Sequence, residues 1–413
     1  MRLTWSHKPC HRAHQMVMTR VARSSQRKCE IYAFFITFVW LMMVNTVHSW
    51  PCPSDCICLS HTQILCNSGH LTFVPLNELP KTVEHLSLTK NNLTYLPTDA
   101  FRGLRSLRKL TLDGNSIQSI DQFAFRGLSR LRELTIQHTP LRALKKLSFS
   151  GLQNVTAILL GYNQISVIEE FAFATSANIR LILLNNNPLH IVSAHAFSRL
   201  TNVEHLIMPS GIRHLQPDAF YELDSVGLLK LSFMDLSSLK ANTFRGLTRV
   251  HVLAIQDSDL GVIKTDAFAG LSQVGSLNLL NNKIDSVQKL SVTRQNQVKH
   301  FRFNGNHVLD SPRKSTFNVI ASEGFTMVSN HFPCDCHLFR FLDGYPFGLN
   351  ASTDWFIGKN FCISPLELNG QPISVVKQNF IEKCLQSSPA APLGSTRTLF
   401  VVAALYYFHL LVH

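Results

Sequence analysis

The chain has 413 residues, 45% of them hydrophobic and 16% charged, which is enough apolar material for a large core and is not the composition of a disordered chain. Its formal net charge of +13 suggests a nucleic-acid partner until the charge is located. Residues 1–30 hold seven Lys or Arg against the single acid Glu30, a net +6 that leaves +7 for the rest, and no aromatic-basic motif follows, so nucleic acid is excluded as a partner.

The basic segment runs into residues 31–47, apolar apart from Thr37, Asn45 and Thr46, and then into Val47-His48-Ser49. A basic region, an apolar stretch and a small-residue exit together predict a secretory signal peptide over 1–49. Translation from Met16 or Met18, or retention of the segment as an uncleaved anchor, are the alternatives. Cys10 and Cys29 fall in this leader. The other cysteines form two groups of four, Cys52, Cys56, Cys58 and Cys66, then Cys334, Cys336, Cys362 and Cys384, with none between 67 and 333. Even clusters behind a signal peptide read as disulfide frameworks rather than zinc sites, since the paired C-x-x-C knuckles of a zinc ribbon are missing.

From Val83 the chain repeats with a period of 24 residues. The first unit reads Val83-x-x-Leu86-x-Leu88-x-x-Asn91-x-Leu93-x-x-Leu96, then Phe101-x-x-Leu104; the second has Leu107, Leu110, Leu112, Asn115, Ile117, Ile120, Phe125 and Leu128. Later units begin at Leu131, Val155, Ile179, Val203, Val226, Val250, Val274 and Val298, and a half-unit ends on Phe325, Met327 and Asn330. This leucine-rich-repeat pattern covers 83–330. Leu-x-Leu alternates with period two and predicts a short strand with its leucines inward. The Asn that follows turns the chain and offers its amide to backbone groups left open by the bend. Phe101, Phe125, Phe149, Phe173, Phe197, Phe220, Phe244 and Phe268 predict an aromatic spine under the convex side. No unit can bury its apolar face alone, so the expected fold is an α/β solenoid of about ten stacked repeats, a horseshoe with a parallel β-sheet on its concave face. The Asn column lapses at Gly211 and Met234, and the unit starting at Val203 is one residue short, which predicts an irregularity in curvature near 208–236.

A solenoid needs capped ends. Pro51-Cys52-Pro53-Ser54-Asp55-Cys56-Ile57-Cys58, with Cys66 and Leu79-Pro80, resembles the N-terminal cysteine-rich cap of extracellular leucine-rich-repeat proteins. Phe332-Pro333-Cys334-Asp335-Cys336-His337-Leu338, with Cys362 and Cys384, resembles their C-terminal cap. Members of that family include Slit, Toll-type ectodomains, the Nogo receptor and insect connectin. Four cysteines allow three pairings in each cap; the resemblance implies Cys52 with Cys58, Cys56 with Cys66, Cys334 with Cys362 and Cys336 with Cys384. It also implies caps over 51–82 and 331–385. Sequons stand at Asn92, Asn154 and Asn350 and predict glycosylation.

After Cys384 the sequence turns to Ser387-Ser388-Pro389-Ala390-Ala391-Pro392 within a linker, 386–398, and then to an apolar tail, 399–413. A spanning helix needs about 20 apolar residues, and residues 399–412 supply 14. Small residues, a spacer and a terminal apolar tail match a GPI-attachment signal, with Ser387 the expected attachment residue and Ser388 or Ala390 the alternatives. A short retained anchor and a buried terminal helix are the other readings. With a lipid or short anchor no cytoplasmic domain is expected, so signalling needs a membrane-spanning co-receptor.

The residues flanking the inward leucines face the concave surface. They are polar in the first two units (His85, Ser87, Thr89, Lys109, Thr111, Asp113) and change character from the fourth: Ala157, Leu159, Leu181, Leu183, Ile207, Leu228, Val252 and Ala254, with Tyr162 and Phe233 following their strands. Leu159, Tyr162, Leu181, Leu183, Ile207, Leu228 and Phe233 are therefore the candidate protein-binding residues. Arg102, Arg105, Arg108, Arg126, Arg130 and Arg132 recur at matching offsets and form a second candidate, for a glycosaminoglycan. No H-E-x-x-H, G-x-S-x-G or P-loop is present, the 19 His are scattered, and His85, His205 and His300 lie in distant units, so neither catalysis, metal nor cofactor is expected. The expected function is a cell-surface adhesion protein or ligand-binding co-receptor. The alternative is a secreted matrix protein or a soluble protein that sequesters its ligand or recognises molecular patterns.

Overall fold

The computed structural model describes residues 52–343, 353–376 and 378–386. The expected leader 1–49, Asn350, Ser387 and the expected terminal tail lie outside the described residues. Short strands stack into one 13-stranded sheet. In chain order they are β1 (Ile57–Cys58), β2 (Gln63–Leu65), β3 (His85–Ser87), β4 (Lys109–Thr111), β5 (Glu133–Thr135) and β6 (Ala157–Leu159), then β7 (Ala177–Leu183), β8 (Thr201–Ile207), β9 (Asp224–Ser232), β10 (Thr248–Gln256), β11 (Ser272–Leu280), β12 (Val298–Asn304) and β13 (Gly324–Thr326). β1 and β2 form an antiparallel hairpin, and every later strand joins in parallel.

The register carries one inward column, Leu86, Leu110, Leu134, Ile158, Ile182, Leu206, Leu229, Leu253, Leu277 and Phe301, all of it buried. On the convex side the eight expected Phe stack ring on ring from Phe101 to Phe268, with centroids 5.3 to 6.0 Å apart. The repeat segments between strands are turns and strands of two or three residues, with one 3-10 turn at Arg294–Asn296. The described α-helices all belong to the C-terminal cap: α1 (Cys336–Leu342), α2 (Thr353–Lys359) and α3 (Gln378–Gln386).

The asparagines tie the turns together. Asn306 Oδ1 accepts from the Asn282 backbone N–H at 2.9 Å, and Asn306 Nδ2 donates to the Leu279 carbonyl at 3.0 Å and to Asn330 Oδ1 at 3.1 Å. Asn330 Nδ2 donates to Phe303 O and to Asn360 Oδ1. Asn360 then donates to Met327 O and Phe356 O, so the ladder continues into the C-terminal cap through a residue outside any Leu-x-Leu context. Thr139 and Ser258 serve in the same column: the Thr139 hydroxyl donates to Asn163, and the Ser258 hydroxyl accepts from the Met234 N–H.

At Gly211 and Met234 no side-chain amide is available. Within 208–236 the flanking sheet is interrupted, as it also is between Ile120 and Ala143. The four-stranded flanking sheet stops at His214–Leu215, and a separate three-stranded one begins at Ser238–Leu239. The concave sheet passes the same point without a register shift, pairing Ile207 with Lys230, because the missing residue is removed after the strand.

Two disulfides close each end: Cys52–Cys58 and Cys56–Cys66, then Cys334–Cys362 and Cys336–Cys384. In the C-terminal cap Asp335 caps α1 by accepting from the His337 and Leu338 N–H groups, and Phe341 packs on Phe317 and Phe356. Along the flank at this junction the rings of His307 and His331 stack 4.4 Å apart, and His331 stacks on Phe361 at 5.3 Å. Lys283 pairs with His307 in the next strand over and is held by Asp259 and Asp285.

The ladder predicts that Asn306→Ala, which strands the buried Asn282 N–H and Leu279 carbonyl of the preceding turn and removes the bond to Asn330 Oδ1, lowers unfolding free energy by about 3 kcal/mol in a denaturant titration. An unchanged midpoint would reject the ladder as a source of stability. Burial, and then the neighbouring His307, hold the His331 imidazole below its ordinary pKa. The unfolded chain therefore takes up this proton first, and the stability His331 contributes is full above roughly pH 6.5 and is lost as pH falls from there through the lower folded-state value. His331→Phe should flatten this part of the slope of stability against pH between neutral and mildly acid conditions, relative to wild type. Identical slopes would reject the assignment.

Candidate protein-binding surface on the concave face

Strand alternation sends the leucines inward and leaves the residues beside them facing the concave side. One outward column runs Ser87, Thr111, Thr135, Leu159, Leu183, Ile207, Lys230, Ala254, Asn278, Arg302. Its neighbour runs His85, Lys109, Glu133, Ala157, Leu181, His205, Leu228, Val252, Ser276, His300. Leu159, Leu183 and Ile207 are thus direct neighbours on β6, β7 and β8, and Leu181 lies beside them. All four are half-buried. The expected patch is narrower than a uniform strip. His205 interrupts the second column before Leu228, and Lys230 ends the aliphatic run of the first. Ala254 is only 7% exposed and offers little contact area.

Tyr162 and Phe233 stand at the rim where each strand ends, 49% and 61% exposed. Asn186 and Ser210 occupy the intervening turns, so the two rings are separated by three strand spacings, roughly 14 Å. Tyr162 stacks on His138 at 4.9 Å; Phe233 has no ring partner among the described residues. Both backbones are left-handed, with φ of 55° and 54°. The same rim position holds Lys90, Gly114, His138, Asn186, Asp257, Asn281 and Gly305 in other turns, also with positive φ. A left-handed backbone costs a bulky residue about 1–2 kcal/mol, and exposed rings recover little of that from the core.

The N-terminal part of the face is polar and internally mated. Lys109 pairs with Glu133 at 2.8 Å. Asp113 accepts the Gln137 N–H, and burial pushes its carboxyl above the usual range against that hydrogen bond. At the far end Lys299 and His300 share Glu323, and the bond from Lys299 holds that carboxyl low.

The arginine stripe is exposed but partly neutralised. Arg126 grips Asp99 with two nitrogens, Arg108 reaches Glu84 at 3.3 Å and Arg132 donates to the Asn154 carbonyl. Arg102, Arg105 and Arg130 make no direct ion pair among the described residues. Asn92 and Asn154 are exposed; Asn154 Oδ1 accepts from Asn178, which in turn accepts from Asn202. Among the described residues no group of three or more His, Cys, Asp or Glu is placed to hold a metal ion.

Residues 94–227 and 217–331 match the profile of the BspA type leucine rich repeat region, more than half of the chain. The chain belongs to this leucine-rich-repeat family. The repeat protein is also 33% identical over 85 residues to Immunoglobulin superfamily member 10 of Mus musculus, and 33% over 81 residues to that of Rattus norvegicus. These matches take in 21% and 20% of this chain but span only 3% of the length of either relative. Among solved structures it is similar to a chain of the octameric complex of Latrophilin 3, Unc5D and FLRT2, with 20% identity and a TM-score of 0.46 over 80% of this chain and 99% of that one. It is also similar to human 5T4, trophoblast glycoprotein, with 21% identity and a TM-score of 0.39 over 81% and 99%.

Position outside the repeat pattern hid several residues from sequence reasoning. Lys230 falls in an outward column, where the repeat demands nothing, and although His205 is readable as a concave residue, only the strand register shows that the two break the aliphatic run. Asn360 follows Asn330 only after the cap has inserted α2. Its signal, a lone buried amide beyond the last repeat, has no spacing to announce it.

Proposed function

We propose that this leucine-rich-repeat protein binds another protein on its concave face at the cell surface, in adhesion or as a ligand-binding co-receptor. What carries the reading is the aliphatic column Leu159, Leu183 and Ile207, facing the solvent side of the sheet, with Tyr162 and Phe233 exposed along the rim. Outward columns owe nothing to the core, so aliphatic side chains there cost solvation that a partner can recover. Leu181 and Leu228 extend the surface.

The rest of the reading concerns export and attachment. Residues 1–49 are the removed leader, 51–82 and 331–385 the caps, 83–330 the repeats, and 399–413 a tail exchanged for a lipid at Ser387. Asn92, Asn154 and Asn350 carry glycans. At Asn154 the side-chain oxygen is taken by Asn178, which leaves the amide nitrogen to bear the sugar.

Two measurements test the proposal. A partner crosslinked to the wild-type protein on intact cells should be recovered at least about 100-fold less with Leu183→Glu and Ile207→Glu combined, at equal surface levels; equal recovery rejects the concave site. Full chain displayed on animal cells should be released by phosphatidylinositol-specific phospholipase C. Resistance would replace the lipid by a protein anchor, and protein already in the medium would mean a secreted molecule.

A further inference from the structure

Beyond Ile207 the first outward column turns cationic, through Lys230 on β9 and Arg302 on β12, with Ala254 and Asn278 between them. No Asp or Glu occurs in the concave segments 157–161, 181–185, 205–209, 228–232, 252–256, 276–280, 300–304 or 324–328. The carboxylates nearest this surface are already engaged at its edges. Glu204 pairs with Arg180, Glu323 with Lys299, and Asp257 accepts from Gln256 and Asn281. Among the described residues Arg302 reaches only the Ser276 hydroxyl, at 3.4 Å, and Lys230 makes no ion pair. The contrast with the N-terminal third is direct, since there Lys109 has its Glu133 on the adjacent strand.

We infer that the concave face recognises an acidic-apolar protein segment, whose aliphatic side chains lie on Leu159, Leu183 and Ile207 and whose carboxylates meet Lys230 and Arg302. The inference rests on the concave face being the binding surface and adds the chemistry of its occupant. Lys230 is one strand from Ile207, and Arg302 is three strands further, roughly 14 Å. An extended segment crossing the strands advances about 3.3 Å per residue, so its two acids stand about four or five residues apart, with the aliphatic residues before the first. Cations beside aliphatic side chains suit a peptide better than a sulfated polysaccharide, which has no apolar groups for Leu159 and Leu183 to cover. A cation left without a carboxylate partner beside an aliphatic patch selects partners by sign as well as by fit.

The test is selection of a random short-peptide library on cells displaying the full chain, in parallel for wild type, Lys230→Glu with Arg302→Glu, and Leu183→Glu with Ile207→Glu, at matched surface levels. Wild type should enrich peptides with aliphatic residues followed by two acids at the stated spacing, about tenfold over their basic counterparts. The charge-reversed pair should lose that preference and turn towards Lys and Arg, and the Glu-substituted patch should enrich neither. Peptides that depend on Leu183 and Ile207 but show no acidic bias would overturn this inference and leave the concave site standing. Enrichment that ignores both pairs, or none at all, would remove the concave site itself. Heparin binding that survives in the patch variant and is lost on charge reversal would reassign the cations to a polysaccharide.

Discussion

Each turn of this solenoid bends sharply after its Leu-x-Leu strand, and the bend leaves backbone N–H and C=O groups facing an apolar interior. Those groups cannot reach water, and a buried unpaired amide costs more than a made hydrogen bond gains. The Asn column meets this constraint by joining turns. An amide such as Asn306 accepts from the previous turn and donates both to the carbonyl of Leu279 and to the next amide. Satisfying one turn therefore requires its neighbours in place, which makes the array cooperative from repeat to repeat. The extension through Asn330 to Asn360 carries the same bond into the disulfide-closed cap and gives the last repeat a partner where no further repeat exists.

The two sheets of the repeat array differ in how continuous they are. The flanking sheet splits beside Gly211 and Met234 and also between Ile120 and Ala143, where Asn115 and Thr139 serve their turns, whereas the concave sheet keeps its register through β8, β9 and β10. The concave sheet has its own backbone ladder and the buried column of Leu206, Leu229 and Leu253. The flank has only strands of two or three residues, so it yields first. A shortened repeat is thus absorbed away from the surface that faces a ligand.

The fold was legible in the sequence because its demands repeat. Leucine, asparagine and phenylalanine return at a fixed period, and each has one structural task. The outward columns carry no such demand, which is why Leu183 and Ile207 were legible as apolar exceptions while the effect of His205 and Lys230 was not. Their importance lies in which neighbour they displace across the strands, and only the register reveals that. The shortened repeat makes the point: Lys230 aligns with Ile207 because a residue is lost after β8, outside the strand. Tyr162 and Phe233 were visible as aromatics near the face, but their left-handed backbones and the distance between them belong to the turn geometry.

Freedom from the repeat is also what makes the concave residues informative. In the first turns that freedom is used for mated charges and hydroxyls, Lys109 with Glu133 and Asp113 with the Gln137 amide, which leave little unmet. In the middle turns it is used for aliphatic side chains that remain half in water and for rings on strained backbones. In the later turns it is used for cations without acids. None of these later choices helps the chain to fold, and the rim aromatics work slightly against it. A surface that departs from what folding favours in two successive zones, along one continuous register, is better accounted for by a ligand with matching zones than by separate tolerances.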